Sequence, residues 1–157
     1  MVRVALHYRF RQAFPVPARA AFTWCTDFGP DDGALMSHPT VRRVERLADD
    51  LLVLTDTTRT NGRRRRIRRL VWLERDRMRW TNTHLDGPFQ HSQYWYTIVP
   101  DGPRRSHLEF EGFRLVDRAG RTSAAEVARL ARAERDADAA TWRSRFAPAL
   151  ARDVRGR

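Results

Sequence analysis

The chain has 157 residues, 41% of them hydrophobic, which is enough apolar material for the core of one domain spanning residues 1–157. No apolar run approaches the roughly 18 residues that a membrane span requires, and the first residues lack the continuous apolar segment of a signal peptide. The single cysteine, Cys25, excludes an internal disulfide and a site built from several cysteines. We therefore expect a cytoplasmic protein without a metal or other cofactor.

The net charge is strongly positive. Thirty basic residues, all of them arginine, outnumber 19 acidic residues and give a net charge of +11. The complete absence of lysine is typical of GC-rich coding, but codon bias does not account for the excess of positive charge. Such an excess attracts nucleic acid, anionic lipid and acidic small molecules alike, so charge alone selects none of these partners.

The first 40 residues predict a strand followed by two short helices. Residues 4–10 alternate between apolar and polar side chains, which is the period of a half-buried strand. Pro17 suits the first turn of a short helix over residues 17–26. Residues 27–33 contain the glycines and aspartates that end a helix, and residues 34–38 predict one further helical turn.

Six more strands and a long helix make up the rest of the chain. The strands run from residue 41 to residue 115 and are separated by turn signals at Asp49-Asp50, Asn61-Gly62, Arg75-Asp76, Asp86-Gly87-Pro88 and Asp101-Gly102-Pro103. Such short connections join antiparallel neighbours, so we expect a seven-stranded antiparallel sheet. The helix runs from Ser123, which forms a capping box with Glu126, to about Val154, and Pro148 should kink it.

The turns also predict strand registers. A two-residue turn at residues 61–62 pairs Thr60 with Arg63 and, further along, Leu54 with Arg69. Through the next two loops the same counting predicts an inward-facing polar group in which Arg69 lies beside Asn82 and diagonal to Asp56, with His91 opposite Asn82.

These registers give the sheet one apolar and one charged face. The apolar face collects Leu52, Leu54, Ile67, Val71, Leu73, Met78, Trp80, Phe89, Trp95, Leu108 and Phe110. The opposite face collects Thr55, Thr57, Arg64, Arg66, Arg68, Arg79, Thr81, Glu109 and Glu111, and the same parity places Tyr94 and Tyr96 there. A sheet of this kind must cover its apolar face, and the long C-terminal helix is the one element of sufficient length.

Three segments carry a resemblance to a known family. Residues 16–28 read Val-Pro-Ala-Arg-Ala-Ala-Phe-Thr-Trp-Cys-Thr-Asp-Phe, residues 87–100 read Gly-Pro-Phe-Gln-His-Ser-Gln-Tyr-Trp-Tyr-Thr-Ile-Val-Pro, and the last helix repeats an apolar residue at Trp142, Phe146 and Leu150. Together with the order of the elements, these segments resemble the START-related superfamily of lipid-transfer domains, polyketide cyclases/dehydrases and coenzyme Q-binding proteins. The family's Gly-Thr-Arg at the start of the last strand is replaced by Arg104-Arg105-Ser106.

The resemblance implies an α+β helix-grip fold. In that fold a seven-stranded antiparallel sheet wraps around a long C-terminal helix, with two short helices after the first strand. Members of the family have a cavity between sheet and helix, usually for a hydrophobic ligand. Their chemistry varies so widely that the fold does not name the function.

Six inward-facing aromatic residues form the first candidate site. They are Trp80, Phe89, Trp95, Phe110, Trp142 and Phe146. Ordinary core packing is one interpretation of this set. A ligand cavity is the favoured one, because the helix over residues 124–140 is rich in alanine and fills little volume.

Polar residues on the same face form the second candidate site. Asp56, Arg69 and Asn82 would form a polar floor that orients a ligand carboxylate, carbonyl or phenol through Arg69; alternatively, Arg69 and Asp56 form a structural ion pair. The family's cyclases move protons with pocket residues, so His84 or His91 would be the catalytic candidates. The spacing of these histidines is not typical of a zinc site.

The third feature is an arginine stripe, Arg64, Arg66 and Arg68, which should face outward. A solvated hairpin tip is the simplest interpretation, and docking to an anionic membrane is a functional one. Nucleic acid is disfavoured, because this stripe lacks the interleaved aromatic residues of a single-strand binder.

Three functions follow from the sequence. The first is binding, and transport, of a hydrophobic small molecule such as a lipid, quinone or polyketide-like compound. The second is a polyketide cyclase or dehydratase activity. The third is an interaction module that contacts RNA, ribosome or membrane through its outer arginines.

Overall fold

One antiparallel sheet frames the protein. The computed structural model describes residues 1–36 and 38–156, and the side chain of Thr60 is outside that description. Within it the strands are β1 (Val2–Phe14), β2 (Thr40–Ala48), β3 (Leu51–Thr60), β4 (Arg63–Glu74), β5 (Arg79–His84), β6 (Gln93–Pro100) and β7 (Ser106–Arg118). The sheet is seven-stranded in the order β1-β7-β6-β5-β4-β3-β2, so the predicted meander is confirmed and β1 and β2 are its edges.

Two short helical segments connect β1 to β2, as the resemblance implied. The first is α1 (Ala18–Cys25), preceded by Pro17. The second is a 3₁₀ turn over Pro30–Leu35, earlier than the predicted residues 34–38, because Pro30 starts the turn. Ser37, in the predicted turn, and Arg157, in the predicted domain, lie outside the described residues.

The long C-terminal helix consists of three parts. They are α2 (Ala124–Thr141), a π-helical turn (Trp142–Phe146) and α3 (Ala147–Arg155). The side chain of Ser123 caps α2 by accepting a hydrogen bond of 3.2 Å from the backbone N–H of Glu126. The π turn directly precedes Pro148, where the sequence predicts a kink, because a proline has no N–H to donate to the preceding turn. No helix among the described residues is long and apolar enough to cross a membrane.

The predicted register of β3 and β4 is confirmed, and the next one is wrong. Thr60 pairs with Arg63, and Leu54 with Arg69. On β5, however, Arg69 pairs with His84 rather than Asn82. The connection is a 3₁₀ turn followed by a left-handed Met78 (φ 47°), two residues longer than the predicted loop. A shift of two keeps every side chain on its predicted face.

The predicted register of β6 is wrong by an odd number of residues, so its side chains lie on the opposite face from the one predicted. His91 lies in the turn before β6, exposed and left-handed (φ 69°), and it is not opposite Asn82. Asn82 pairs instead with Tyr94. Tyr94 and Tyr96 therefore face the helix, and Trp95 faces outward.

The two ends of the sheet are covered differently. Near one end, Ala147, Ala149 and Leu150 of α3 are buried, and α3 packs with α1 against the sheet in one apolar core. Helix α2, which the structure describes in full, has no buried residue and contacts mainly the edge strand β1. The core is therefore closed under α3 and open under α2.

Candidate functional site

Two adjoining cavities lie between the sheet and the C-terminal helix. The larger has a volume of about 280 Å³ and lies under the end of α2, and the smaller has a volume of about 90 Å³ and lies next to α1. Both are lined by Arg69, Asn82, Tyr96, Trp142 and Phe146. Together they reach the lower end of the roughly 300–1,000 Å³ that is usual for ligand sites.

Aromatic rings form most of the cavity walls. Tyr96 stacks on Trp80 with ring centroids 4.7 Å apart, and its other neighbours are Phe110 at 5.1 Å and Trp142 at 6.2 Å. Trp142 contacts Phe146 at 4.9 Å across the π turn. The walls are therefore suited to a flat or hydrophobic molecule.

A buried ion network forms the floor of the cavities. Asp56 accepts hydrogen bonds from Arg69, which lies diagonal to it as the sequence predicts, and from Arg42 on the edge strand, at 2.8 Å and 3.0 Å. Arg42, whose side chain is only 5% exposed, also donates to Asp32 at 2.6 Å. Burial raises the pKa of Asp56, but Arg42 and Arg69 lower it more, so it falls below its usual range.

Three buried polar atoms at the larger cavity lack a hydrogen-bond partner among the described residues. They are Nε of Arg69, Oδ1 of Asn82 and Nδ1 of His84. Leaving such an atom unpaired costs about 1–3 kcal/mol, so native proteins rarely do so without a reason. The three residues that carry these atoms all line the cavity.

His84 is held in its neutral form. Burial lowers its pKa to about 4, and the positive charges of Arg69 and Arg114 add to that effect. At neutral pH the imidazole therefore offers one donor and one acceptor.

A second polar cluster closes the cavity beside α2. Arg114 of β7 donates to the hydroxyl of Tyr94 at 3.0 Å and pairs with Glu134 and Asp138 of α2. The hydroxyl of Tyr8 donates to Asp138 at 2.7 Å. This cluster ties α2 to the sheet through charges and hydroxyls, in contrast to the apolar packing of α3.

Most of the predicted site residues meet at these cavities. Those that line them are Arg69, Trp80, Asn82, His84, Phe89, Phe110, Trp142 and Phe146, and Asp56 contacts them through Arg69. The inward placement of Trp95 is wrong: it lies on the outer face between Thr81 and Glu111. His91 is exposed and lines neither cavity.

Sequence reasoning missed several lining residues. The predicted register places Tyr94 and Tyr96 on the wrong face. The predicted site also lacks Arg114 and Asp138, although Arg114 follows Phe110 by four residues on the same strand and so shares its face. The two-residue alternation of side chains along a strand was therefore the signal that identifies Arg114 as a lining residue.

The outer arginines lie where the sequence predicts. Arg64 and Arg66 are exposed on the outer face, and Arg59 lies opposite Arg64. Arg68 differs from them, because it forms an ion pair of 2.7 Å with Asp86.

Comparisons with known proteins bear on the fold. No protein-family model and no curated protein sequence matches the chain. Among solved structures, the Zhui aromatase/cyclase from Streptomyces sp. R1128 is 14% identical with a TM-score of 0.70, over 97% of this chain and 94% of that one. A START superfamily protein from Mycobacterium smegmatis is 13% identical with a TM-score of 0.62, over 87% and 94% of the two chains.

A third solved structure is a norcoclaurine synthase from Thalictrum flavum, in complex with dopamine and hydroxybenzaldehyde. It is 12% identical with a TM-score of 0.58, over 88% of this chain and 86% of that one. Identities this low establish a shared fold and not a shared activity. The predicted architecture is nevertheless confirmed: the chain has an α+β helix-grip fold, which these solved structures share.

Proposed function

We propose that this protein binds a hydrophobic small molecule with a polar or anionic head between the sheet and the long helix, and carries it through the cytoplasm. A lipid, a quinone or a polyketide-like compound would meet that description. The observation that carries the proposal is the set of three unpaired polar atoms, within the described chain, at an aromatic-lined cavity. Such a cavity is typical of small-molecule sites.

In this proposal the head of the ligand lies beside the three residues that carry the unpaired polar atoms. Nε of Arg69 donates, Oδ1 of Asn82 accepts, and neutral His84 can do either through Nδ1. A carboxylate, phenol or carbonyl beside Arg69 would meet them, with the hydrophobic part against Tyr96 and Trp142.

The fold comparison supports small-molecule binding as the general kind of function. The norcoclaurine synthase was solved with two small aromatic molecules, and an aromatase/cyclase has the same fold. The open packing under α2 supports it further, because a ligand must reach the cavity without unfolding the closed end of the core.

Two measurements test this proposal. Native mass spectrometry of gently purified protein should show a bound small molecule. Calorimetry with 2-naphthoic acid should show binding that Arg69→Met weakens about tenfold or more, since a charged hydrogen bond is worth roughly 1.5–3 kcal/mol. Asp56 keeps Arg42 as its partner in that variant, so the fold should survive.

The matched control is Arg79→Met, which removes an arginine that is ion-paired with Glu74 on the outer face. It should leave naphthoate affinity unchanged. Equal affinity in wild type and Arg69→Met, or a protein that binds neither naphthoate nor any co-purified molecule, would contradict the proposal.

A cyclase or dehydratase activity is the second candidate, because a neutral His84 and a cationic Arg69 line the same cavity. In an intramolecular aldol step, His84 would take a proton from the carbon next to a ketone while Arg69 stabilised the enolate oxygen. The enolate would then attack a second carbonyl, and the proton would return to the new alkoxide. With a pKa of about 4, His84 is a weak base, which favours binding over catalysis.

His84→Gln separates the two functions. If the protein is an enzyme, this variant should lose turnover of a linear poly-β-ketone and keep its affinity for the compound. His91→Gln, at the exposed turn, is the control and should change neither property.

A further inference from the structure

The outer face of the sheet carries an aromatic surface that the cavity does not involve. Trp72, Trp95 and Phe113, here called the outer platform, lie on β4, β6 and β7. Thr81 pairs with both tryptophans, which places their Cα atoms about 10 Å apart, two strand spacings. Phe113 contacts Trp95 edge-on at 5.3 Å.

Two of the three platform rings are exposed, the third, Trp95, is half-buried, and the outer two are held in position. Trp72 is 54% exposed and Phe113 is 37% exposed. The indole N–H of Trp72 donates to Asp50 at 3.3 Å, and the ring of His7 stacks on Phe113 at 4.3 Å. Large rings at solvent-facing positions of a sheet form an apolar surface that usually has a binding partner.

Two surface hollows flank Trp95. One has a volume of about 760 Å³ and extends toward Phe113, and the other, of about 410 Å³, extends toward Trp72. Trp95 and Arg79 line both. Hydroxyl and amide groups stand between the rings, from Thr81, Thr83, Thr97 and Gln93.

The charge around the platform is unevenly distributed. Its three acids are neutralised by ion pairs of 2.5–2.6 Å: Glu109 with Arg11, Glu111 with Arg9, and Glu74 with Arg79. At the tip of the β3–β4 hairpin, by contrast, Arg59, Arg64 and Arg66 form no ion pair with any described residue.

These exposed arginines and the platform share one face. Arg66 lies six residues before Trp72 on β4, which is about 20 Å along the strand. A partner that spans this face therefore meets positive charge at one end and exposed rings at the other.

We propose that the outer face binds single-stranded nucleic acid. Bases stack on Trp72, Trp95 and Phe113, and phosphates contact Arg64 and Arg66. A sheet face with exposed aromatic rings and a basic border is a known geometry for unpaired nucleic acid. The sequence disfavoured nucleic acid because the arginine stripe lacks interleaved aromatics, but the outward Trp95 supplies an aromatic ring on the same face.

Other partners fit the same face less well. Two copies of a chain with net charge +11 repel each other. A membrane would require apolar side chains that can insert, whereas these rings lie on paired strands between threonines and a glutamine. A neutral glycan would make no use of the unpaired arginine charge.

The test uses the full chain and fluorescein-labelled U12 RNA, with anisotropy measured from 50 to 200 mM NaCl. Trp72→Ala should weaken binding about tenfold, the effect expected for one stacked base. The matched control is Leu47→Ala, which removes a side chain of similar exposure (53%) on the edge strand and should have no effect. Trp95→Ala should act like Trp72→Ala.

A charge variant tests the phosphate contacts. The double change Arg64→Ser and Arg66→Ser should lower affinity and reduce the salt slope by about 1.4, or 0.7 for each phosphate that is no longer neutralised. Its control, Arg129→Ser with Arg132→Ser, removes two exposed arginines from α2 and should leave the slope nearly unchanged.

Three results would overturn the proposal. One is RNA binding that falls with the arginine variant but not with Trp72→Ala or Trp95→Ala, which would be nonspecific attraction to a basic protein. Another is Trp72-dependent binding to phosphatidylcholine/phosphatidylserine vesicles without RNA binding. The last is a Trp72-dependent dimer in light scattering. Naphthoate affinity should stay constant in every outer-face variant, so failure here is distinguishable from failure of the cavity proposal.

Discussion

The two ends of the space beneath the C-terminal helix differ in what fills them. Under α3, buried Leu150 and two alanines close an apolar core. Under α2, a charged cluster around Arg114 takes the place of apolar packing, and a cavity of about 280 Å³ remains. The same sheet thus has a close-packed end under α3 and an end with a cavity under α2. We therefore expect stability and ligand binding to depend on different residues.

The largest expected effect is on stability at the closed end. Leu150→Ala should lower the free energy of unfolding by about 2–5 kcal/mol, because it removes a fully buried side chain from a close-packed core. Leu130→Ala, on the partly exposed α2, should cost less than about 1.5 kcal/mol. Urea unfolding measures both. Equal losses would show that the two ends do not differ.

The free energy of unfolding should depend on pH through His84, which lines the larger cavity. His84 has a folded pKa of about 4, below its ordinary 6.5, so the unfolded state binds more protons between these values. Stability is therefore full above pH 6.5 and falls as the pH drops toward 4, by up to about 1.4 kcal/mol per pH unit.

Comparison of wild type with His84→Gln isolates this effect from Asp32. Burial raises the pKa of Asp32 to about 6, so its contribution has the opposite sign and is present in both proteins. The difference between the two unfolding curves should follow the His84 window. A difference that does not vary between pH 4 and 6.5 would contradict a buried neutral imidazole.

The smallest expected effect is a gain in stability. Asn82→Leu replaces a buried amide whose Oδ1 has no partner in the described part of the chain, and it fills cavity volume. The variant should be about 0.5–2 kcal/mol more stable and should bind 2-naphthoate more weakly. Loss of stability would mean that the amide is already satisfied in the folded protein.

Local turn chemistry decided how much of this fold could be predicted. Asn61 and Gly62 both have positive φ (49° and 75°), as a two-residue hairpin turn requires, and the register that they predict is confirmed. The alternation of apolar residues likewise gave the correct faces of β3, β4 and β5. Strand pattern and a tight turn were sufficient there.

The errors came from loops whose conformation no short motif encodes. The connection between β4 and β5, which contains the left-handed Met78, is two residues longer than predicted. An even shift leaves every side chain on its predicted face. The loop between β5 and β6, which contains the left-handed His91, is longer than predicted by an odd number of residues, so Tyr94 and Tyr96 rather than Trp95 lie in the cavity wall. A register depends on the number of residues in a loop, so one extra residue exchanges the two faces of a whole strand.

The contribution of β2 to the site could not be predicted from the sequence either. Arg42 meets Asp56 across strands, but β2 contains an irregularity between Arg46 and Ala48 that turn counting cannot detect. The ion network therefore has two more members than the predicted pair, Arg42 and Asp32, and Asp56 is neutralised from two sides.

The exposed character of α2 has a consequence for how this scaffold can change. Because the structure, which covers the whole helix, shows no buried α2 side chain, most of its positions can be exchanged without loss of core packing. Glu134 and Asp138 are the constrained positions, through their pairing with Arg114. Of the two α2 residues that line the larger cavity, Asp138 is held by this pairing, so mutational drift or directed evolution can change that wall at Thr141 while the rest of the domain keeps its stability.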